Sequence, residues 1–143
     1  MAEQTNDHEL FFVVDHPVED LAGLSSGLGL VVVKEWKRGN EVGAIQGSKH
    51  SRSCCIMALP GSEDGVLADE IKSALWVLKK NKQTLDTLSA TGGRLSLLVF
   101  WSLSEAESFV LQQNIKAELL QEMADLHISL DLQIKSEIPV GEP

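Results

Sequence analysis

The stretch Ile128-Ser129-Leu130-Asp131-Leu132-Gln133-Ile134-Lys135 near the end of the chain alternates strictly between apolar and polar residues. This period of two is typical of a strand buried on one face, because successive side chains of a strand point to opposite faces of its sheet. The pattern predicts a half-buried strand whose polar face contacts water. The residues expected to face inward are Ile128, Leu130, Leu132 and Ile134.

Upstream of this strand, the sequence changes to the period of a helix. Residues 112–126 have apolar side chains three or four positions apart, which predicts a helix with one buried stripe. Before it, Arg94–Leu103 is apolar on both sides, as expected for a central strand covered by helices. Between them we expect a turn or a first helical turn at Ser104–Ser108 and a short hairpin strand at Phe109–Leu111.

The longest helical pattern lies in the middle of the chain, over residues 66–91. Leucines and other apolar residues recur there at helical spacing, and lysines line the other side. Thr91-Gly92-Gly93 is expected to end this helix. The preceding segment, Ser53–Leu59, predicts a strand that Pro60-Gly61 ends.

The N-terminal part contains two further β-prone runs, at Leu10–Val14 and Leu28–Val33. Between them we expect a short helix that begins at Pro17, because proline suits the first position of a helix. Asp15 or His16 is the expected cap. Acidic residues that follow would favour the positive end of the helix dipole.

Together these segments predict an α+β fold. We expect a mostly antiparallel sheet of four or five strands, with the two main helices on one face, in a ferredoxin-like arrangement. A chain of 143 residues suits one domain. The predicted organisation is a disordered N-terminus at 1–9, a single domain at 10–136 and a flexible tail at 137–143.

The charge of the chain narrows the class of partner. Its formal net charge is -9 and its pI is about 4.8, which argues against nucleic-acid binding and favours a basic protein partner. The longest apolar stretches, Leu28–Val33 and Leu95–Trp101, fall far below the roughly 18 to 20 residues of a membrane span. The acidic start lacks the pattern of a signal peptide, so we expect a cytoplasmic protein without membrane association.

The segment from residue 34 to residue 52 reverses this charge locally. The first 33 residues contain no Lys or Arg, whereas this segment contains five, around a tryptophan and beside Gly39. A long polar loop in a small domain is often functional. The speculative ligand-binding or partner-binding residues are Trp36, Lys37, Arg38, His50 and Arg52. Trp36 is either a lid over the sheet edge, with a cation on its ring, or an anchor for a partner or ligand.

Other residues give little indication of catalysis or of a cofactor. The four histidines are not spaced as metal ligands, and no CxxC motif accompanies them. We therefore expect no catalytic residues, no metal and no cofactor. Cys54 and Cys55 are adjacent and are expected to be buried thiols rather than a redox pair. Trp76 and Trp101 are expected in the core or at its edge.

Five short segments match a known family in the same order. They are Leu28-Gly29-Leu30, Trp36-Lys37-Arg38-Gly39, Phe100-Trp101-Ser102, Phe109-Val110-Leu111 and the Ile128–Ile134 strand. In these segments the chain resembles the bacterial family named domain of unknown function 4279. It departs from the family pattern at Cys55–Leu59, where a Trp-Ser-Leu is common, and at Val31–Lys34, where Thr or Pro is common. The resemblance implies a fold and no activity.

Three functional hypotheses remain open. The first is a non-enzymatic protein-binding module, of the immunity or regulatory type, that uses its acidic surface or the Trp36 loop. The second is a small anionic-ligand-binding or enzymatic domain with a pocket at residues 36–52. The third is a domain that self-associates as a homodimer through an exposed strand, with the last strand as the candidate. The absence of catalytic motifs favours a non-enzymatic protein over an enzyme.

Overall fold

The computed structural model of the protein describes residues 8–39, 41–42, 45–61, 65–103 and 113–136. Its strands and helices are, in chain order, β1 (His8–His16), α1 (Leu24–Leu28), β2 (Val31–Trp36), β3 (Glu41–Val42), β4 (Ile45–Lys49), β5 (Ser53–Ala58), α2 (Leu67–Lys79), α3 (Lys82–Ala90), β6 (Arg94–Leu103), α4 (Ala117–Asp125) and β7 (Ile128–Ser136). No helix among these residues is long and apolar enough to cross a membrane. The turn and hairpin expected at 104–111 and the tail at 137–143 lie outside the described residues.

The main sheet has five strands in the order β2-β5-β1-β6-β7. The pairs β2–β5, β5–β1 and β1–β6 are antiparallel, whereas β6 and β7 are parallel. The α+β class is therefore confirmed, but the sheet is mixed and the prediction of a mostly antiparallel sheet was wrong. The reason is the connection through α4, which returns the chain to the end of the sheet where β6 began. The ferredoxin-like arrangement is not confirmed.

One face of the sheet, called here the helix face, holds the core. The alternating residues Leu10, Phe12 and Val14 of β1 are buried on this face, and by register they align with Met57 of β5 and Leu97 of β6. Buried residues of the helices belong to the same cluster, among them Leu28, Ile71, Leu75, Leu78, Leu85 and Met123. On the opposite face, β1, β5 and β6 present half-buried apolar residues.

Two predicted helices differ from the observed ones. The helix expected over 66–91 is two helices, α2 and α3, because the chain turns at Lys80 and Asn81, where Asn81 precedes the first residue of α3. The helix expected at Pro17 does not form. Instead, Nδ1 of His16 accepts hydrogen bonds from the backbone N–H groups of Val18 and Glu19, and this stabilises a turn. The short α1 begins only at Leu24.

The end of α3 shows why glycine is required before β6. Gly92 has a φ of 103°, a left-handed conformation that residues with a Cβ rarely adopt. A Cβ at Gly93 would lie 2.6 Å from the carbonyl oxygen of Leu88, whose oxygen accepts the N–H of Gly93. The predicted stop of the long helical pattern at Thr91-Gly92-Gly93 is therefore observed.

In the last strand, the exposure of two apolar residues differs from what the sequence pattern predicts. By register, Leu132 and Ile134 lie on the helix face, beside Val99 and Trp101, but they are 62% and 51% exposed. The prediction that they are buried was wrong. Nine helical residues in α4 rise only about 13 Å, whereas nine residues of β7 span about 30 Å, so α4 covers only the part of β7 near Ile128.

Candidate functional site

Trp36 is packed against residues of its own chain. It is the last residue of β2 and pairs with Cys54 of β5, so it belongs to a strand rather than to a turn. Its ring stacks on the ring of His50, with centroids 4.4 Å apart and planes inclined by 20°. The ammonium group of Lys34 lies 5.6 Å from the Trp36 centroid. This arrangement resembles a lid at the sheet edge with a cation on its ring.

Two basic residues of the candidate set, Lys37 and Arg52, contact carboxylates of the same chain. Nζ of Lys37 lies 3.5 Å from Oδ2 of Asp20, in an exposed pair. Arg52 donates from Nε to Oδ1 of Asp15 and from Nη2 to the carbonyl oxygen of Gly92, 3.1 Å away. Arg52 thus links the end of β1 to the turn that follows α3. It has a clear structural role.

Of the five candidate residues, Trp36 and His50 stack on each other, whereas the contacts given for the other three are to different groups. The side chain of Arg38 is exposed, and its backbone N–H donates to Oγ of Ser53 at 2.9 Å. Lys37 and Arg52 contact carboxylates on different segments, Asp20 and Asp15. The cavities described below are lined by other residues.

An apolar groove lies at the β2 edge of the sheet. It has a volume of about 390 Å³ and is called here the β2–α2 groove. The ends of β2 and β5 form one wall, and α2 forms the other. Its lining residues are Gly29, Leu30, Val31, Ala58, Leu59, Pro60, Ser73, Ala74 and Val77. Val31, which lines the groove, is 71% exposed, and Val33 of the same edge strand is also exposed.

Trp76 lies on the outside of α2, next in sequence to Val77 of the groove. It is 64% exposed, so the expectation that it belongs to the core or its edge was wrong. It follows Leu75 by one residue, about 100° around the helix, which takes it out of the buried stripe. Nζ of Lys80 lies 3.6 Å from its ring centroid. The expectation for Trp101 is confirmed, because its side chain is buried.

A buried polar cluster lies at the start of β1, and the sequence analysis did not predict it. Nε2 of His8 lies 2.7 Å from Oε1 of Glu70, and both side chains are almost fully buried. The Trp101 ring is 6.3 Å from the His8 ring, and its buried Nε1 has no hydrogen-bond partner among the described residues. Glu70 gave one signal in the sequence: an acidic residue within the apolar stripe of a helix, three positions after Leu67.

A polar cleft of about 430 Å³ lies at the start of β6 and β7. His127, Ser129, Asp131, Asp15 and Arg94 are among its lining residues. His127 has a φ of 64°, and its Nε2 lies 3.1 Å from Oδ1 of Asp86. Hydrogen bonding from Lys82, with the neighbouring His127, lowers the pKa of Asp86. Asp15, which lines this cleft, is already engaged by Arg52 and Arg94.

The imidazole of His16 and the hydroxyl of Thr91 lie as close as a catalytic base and its nucleophile, but they cannot act as such a pair. Nε2 of His16 lies 2.7 Å from Oγ1 of Thr91. Because Nδ1 accepts two backbone N–H groups, the proton of the neutral ring is on Nε2, which donates to Thr91. His16 therefore cannot accept the hydroxyl proton of Thr91.

Both cysteines are free and buried, as the sequence predicted. Burial, together with neighbouring acidic groups, raises the pKa of each thiol to about 11. Because the thiolate is the reactive form, neither residue is a nucleophile at neutral pH. Among the described residues, no group of three or more His, Cys, Asp or Glu side chains is arranged to hold a metal ion.

Comparisons with protein-family models, with curated proteins and with solved structures find no match to this chain. The resemblance to domain of unknown function 4279 therefore stays a prediction based on the matching segments alone.

Proposed function

We propose that the protein is a non-enzymatic protein-binding module, of the immunity or regulatory type, whose binding surface is the β2–α2 groove. The observation that carries the proposal is this apolar groove itself, whose lining includes the 71% exposed Val31. An exposed apolar surface of this kind is typical of interaction sites. An apolar anchor from a partner would fill the groove and remove Val31 from water.

The partner that fits best is a basic protein. A formal net charge of -9 attracts positively charged molecules and accelerates their association at low salt. At the ends of β2 and α2, two local cations lie over indole rings of the same chain, Lys34 over Trp36 and Lys80 over Trp76. We therefore expect an apolar contact at the groove and an electrostatic attraction that comes from the acidic surface as a whole.

The alternative of an anionic-ligand pocket at residues 36–52 has less support. Two of its candidate cations, Lys37 and Arg52, contact carboxylates, so an anionic ligand would have to compete with Asp20 and Asp15. For the half-buried Arg52 this competition also costs the hydrogen bond to Gly92. In our proposal, Trp36 is the last residue of the strand that borders the groove. It is not a separate binding site.

The test compares capture of partners by two variants with one exposed aspartate each. Val31→Asp places a charge at the groove, whereas Val18→Asp places it on a similarly exposed valine in the turn after β1. We expect the wild type and Val18→Asp to retain a basic protein from the native lysate at low salt. Val31→Asp and high salt should each release it. The purified partner should then show the same ranking by calorimetry.

The proposal is contradicted if no captured protein distinguishes Val31→Asp from Val18→Asp. Unchanged thermal unfolding of both variants is the control for folding, because both side chains are exposed.

A further inference from the structure

Among the described residues, the strand β7 is an edge of the main sheet. It pairs with β6 on one side over its whole length, from Ile128 opposite Leu95 to Ser136 opposite Leu103, without a bulge. It contains no proline. Proteins usually protect such an edge with a bulge, a proline or a very short strand, because its outward N–H and C=O groups are a template for another strand.

Exposed apolar residues accompany this edge. Leu132 and Ile134 lie on the helix face beyond the end of α4, and Leu120 of α4 is also exposed. Glu122 of α4 contacts Lys79 of α2, and Leu120 is about 160° around the helix from Glu122. Leu120 therefore lies on the side of α4 that faces away from α2. A strand added to β7 would cover part of this apolar surface.

The sequence of β7 is complementary to itself in one antiparallel register. With a two-fold axis through Gln133, residue 132 of one copy faces residue 134 of the other, so Leu132 and Ile134 form cross-strand pairs on the helix face. On the other face, residue 131 meets residue 135, which pairs Asp131 with Lys135. An axis through Asp131 would instead place two carboxylates opposite each other, which is unfavourable.

We infer that two copies of this chain associate through β7, antiparallel and centred on Gln133. The association joins two five-stranded sheets into one continuous sheet. It pairs the outward backbone groups of β7 and brings Leu132 of each copy against Ile134 of the other, on the face that α4 is too short to cover. The charge pattern of Asp131 and Lys135 selects the register.

This inference does not depend on the function proposed above, because β2 and β7 are the opposite edges of the sheet. A dimer through β7 leaves both β2–α2 grooves accessible, one at each end of the continuous sheet. Such a dimer would bind a partner with two sites more tightly than a monomer does, without any new contact at the groove.

Sedimentation equilibrium of the full chain tests the association over a wide range of concentration. The expected mass is twice the 15.6 kDa of one chain. Leu132→Lys should give the monomer mass, because it places two lysines in the new interface. Val33→Lys, at an exposed position of the opposite edge, should leave the dimer intact.

A charge exchange tests the register. Asp131→Lys alone should weaken the dimer by about tenfold, because lysines then face each other at both ends of the paired segment. The double variant Asp131→Lys with Lys135→Asp should restore the affinity of the wild type. A monomeric wild type at all concentrations overturns the inference. So does a dimer that tolerates Leu132→Lys, or one that Asp131→Lys alone does not weaken.

Discussion

The two edges of the sheet, β2 and β7, both expose aliphatic side chains, but their backbones differ. β2 has six residues and a register shift between Val32 and Lys34, which is typical of a protected edge. β7 has nine residues and a continuous register. At β2 the exposed Val31 lines a groove, whereas at β7 the exposed Leu132 and Ile134 lie beyond a short helix. We therefore expect a partner's side chains to insert at β2 and another strand to pair at β7.

Among the substitutions, the largest effect on the free energy of unfolding is expected at Trp36. It tests whether the end of β2 has a structural role. Trp36→Ala should lower the free energy of unfolding by about 2 kcal/mol, because the half-buried ring stacks on His50 and pairs with Cys54 across the strands. Urea unfolding measures this loss. Trp76→Ala, which removes a mostly exposed ring, is the matched control and should cost much less. Equal losses would show that Trp36 is not a structural lid.

The second prediction concerns the thiols of β5, the strand beside β2. Their pKa is raised from 9.0 to about 11, so between these values the unfolded chain has released protons that the folded chain still holds. The free energy of unfolding should therefore fall as the pH rises from 9 to 11, and the thiols should add no such slope below pH 8. The chain has no tyrosine, so lysine and cysteine are the main side chains that titrate in this range.

Chemical unfolding at several pH values measures this slope. The double variant Cys54→Ala with Cys55→Ala keeps the lysines and should lose the part of the slope that belongs to the thiols. An identical slope in the double variant would contradict the assignment.

The smallest predicted effect lies at the start of β7. His127 has a left-handed backbone conformation, which costs a residue with a Cβ about 1 kcal/mol. His127→Gly should therefore raise the stability by up to about 1 kcal/mol, because its contact with Asp86 is exposed and contributes little. His127→Ala removes the same contact but keeps the strain, so it should not stabilise. A gain in both variants would mean that backbone strain is not the cause.

The sequence predicted where strands and helices lie better than it predicted which of their residues are buried. The alternation over 128–134 correctly predicted β7 and the face on which each residue lies. It could not predict that Leu132 and Ile134 are exposed, because their burial depends on the length of α4 rather than on the pattern of the strand. Likewise, Trp76 follows a buried leucine in the sequence but lies on the outside of α2.

The candidate site was less accessible to sequence reasoning. The charge reversal around Trp36 drew attention to five residues, yet the carboxylates that Lys37 and Arg52 contact lie well before them in the chain. His8 and Glu70 are separated by 62 positions, and the strand and helix bring them together. The β2–α2 groove also forms where a strand and a helix bring together residues that are distant in the sequence. Such neighbours are set by tertiary packing, so no local pattern identifies them.

Oxidative cross-linking at the axis of the inferred dimer tests most directly whether β7 is the edge that pairs with a second copy of the chain. Gln133→Cys places a cysteine opposite its own copy, whereas Ser129→Cys on the same face of β7 does not. The native thiols are buried, so they do not compete in the folded protein. We predict a covalent dimer for Gln133→Cys and none for Ser129→Cys. A monomer in both cases, or equal cross-linking at both positions, would contradict the pairing of β7 with a second copy.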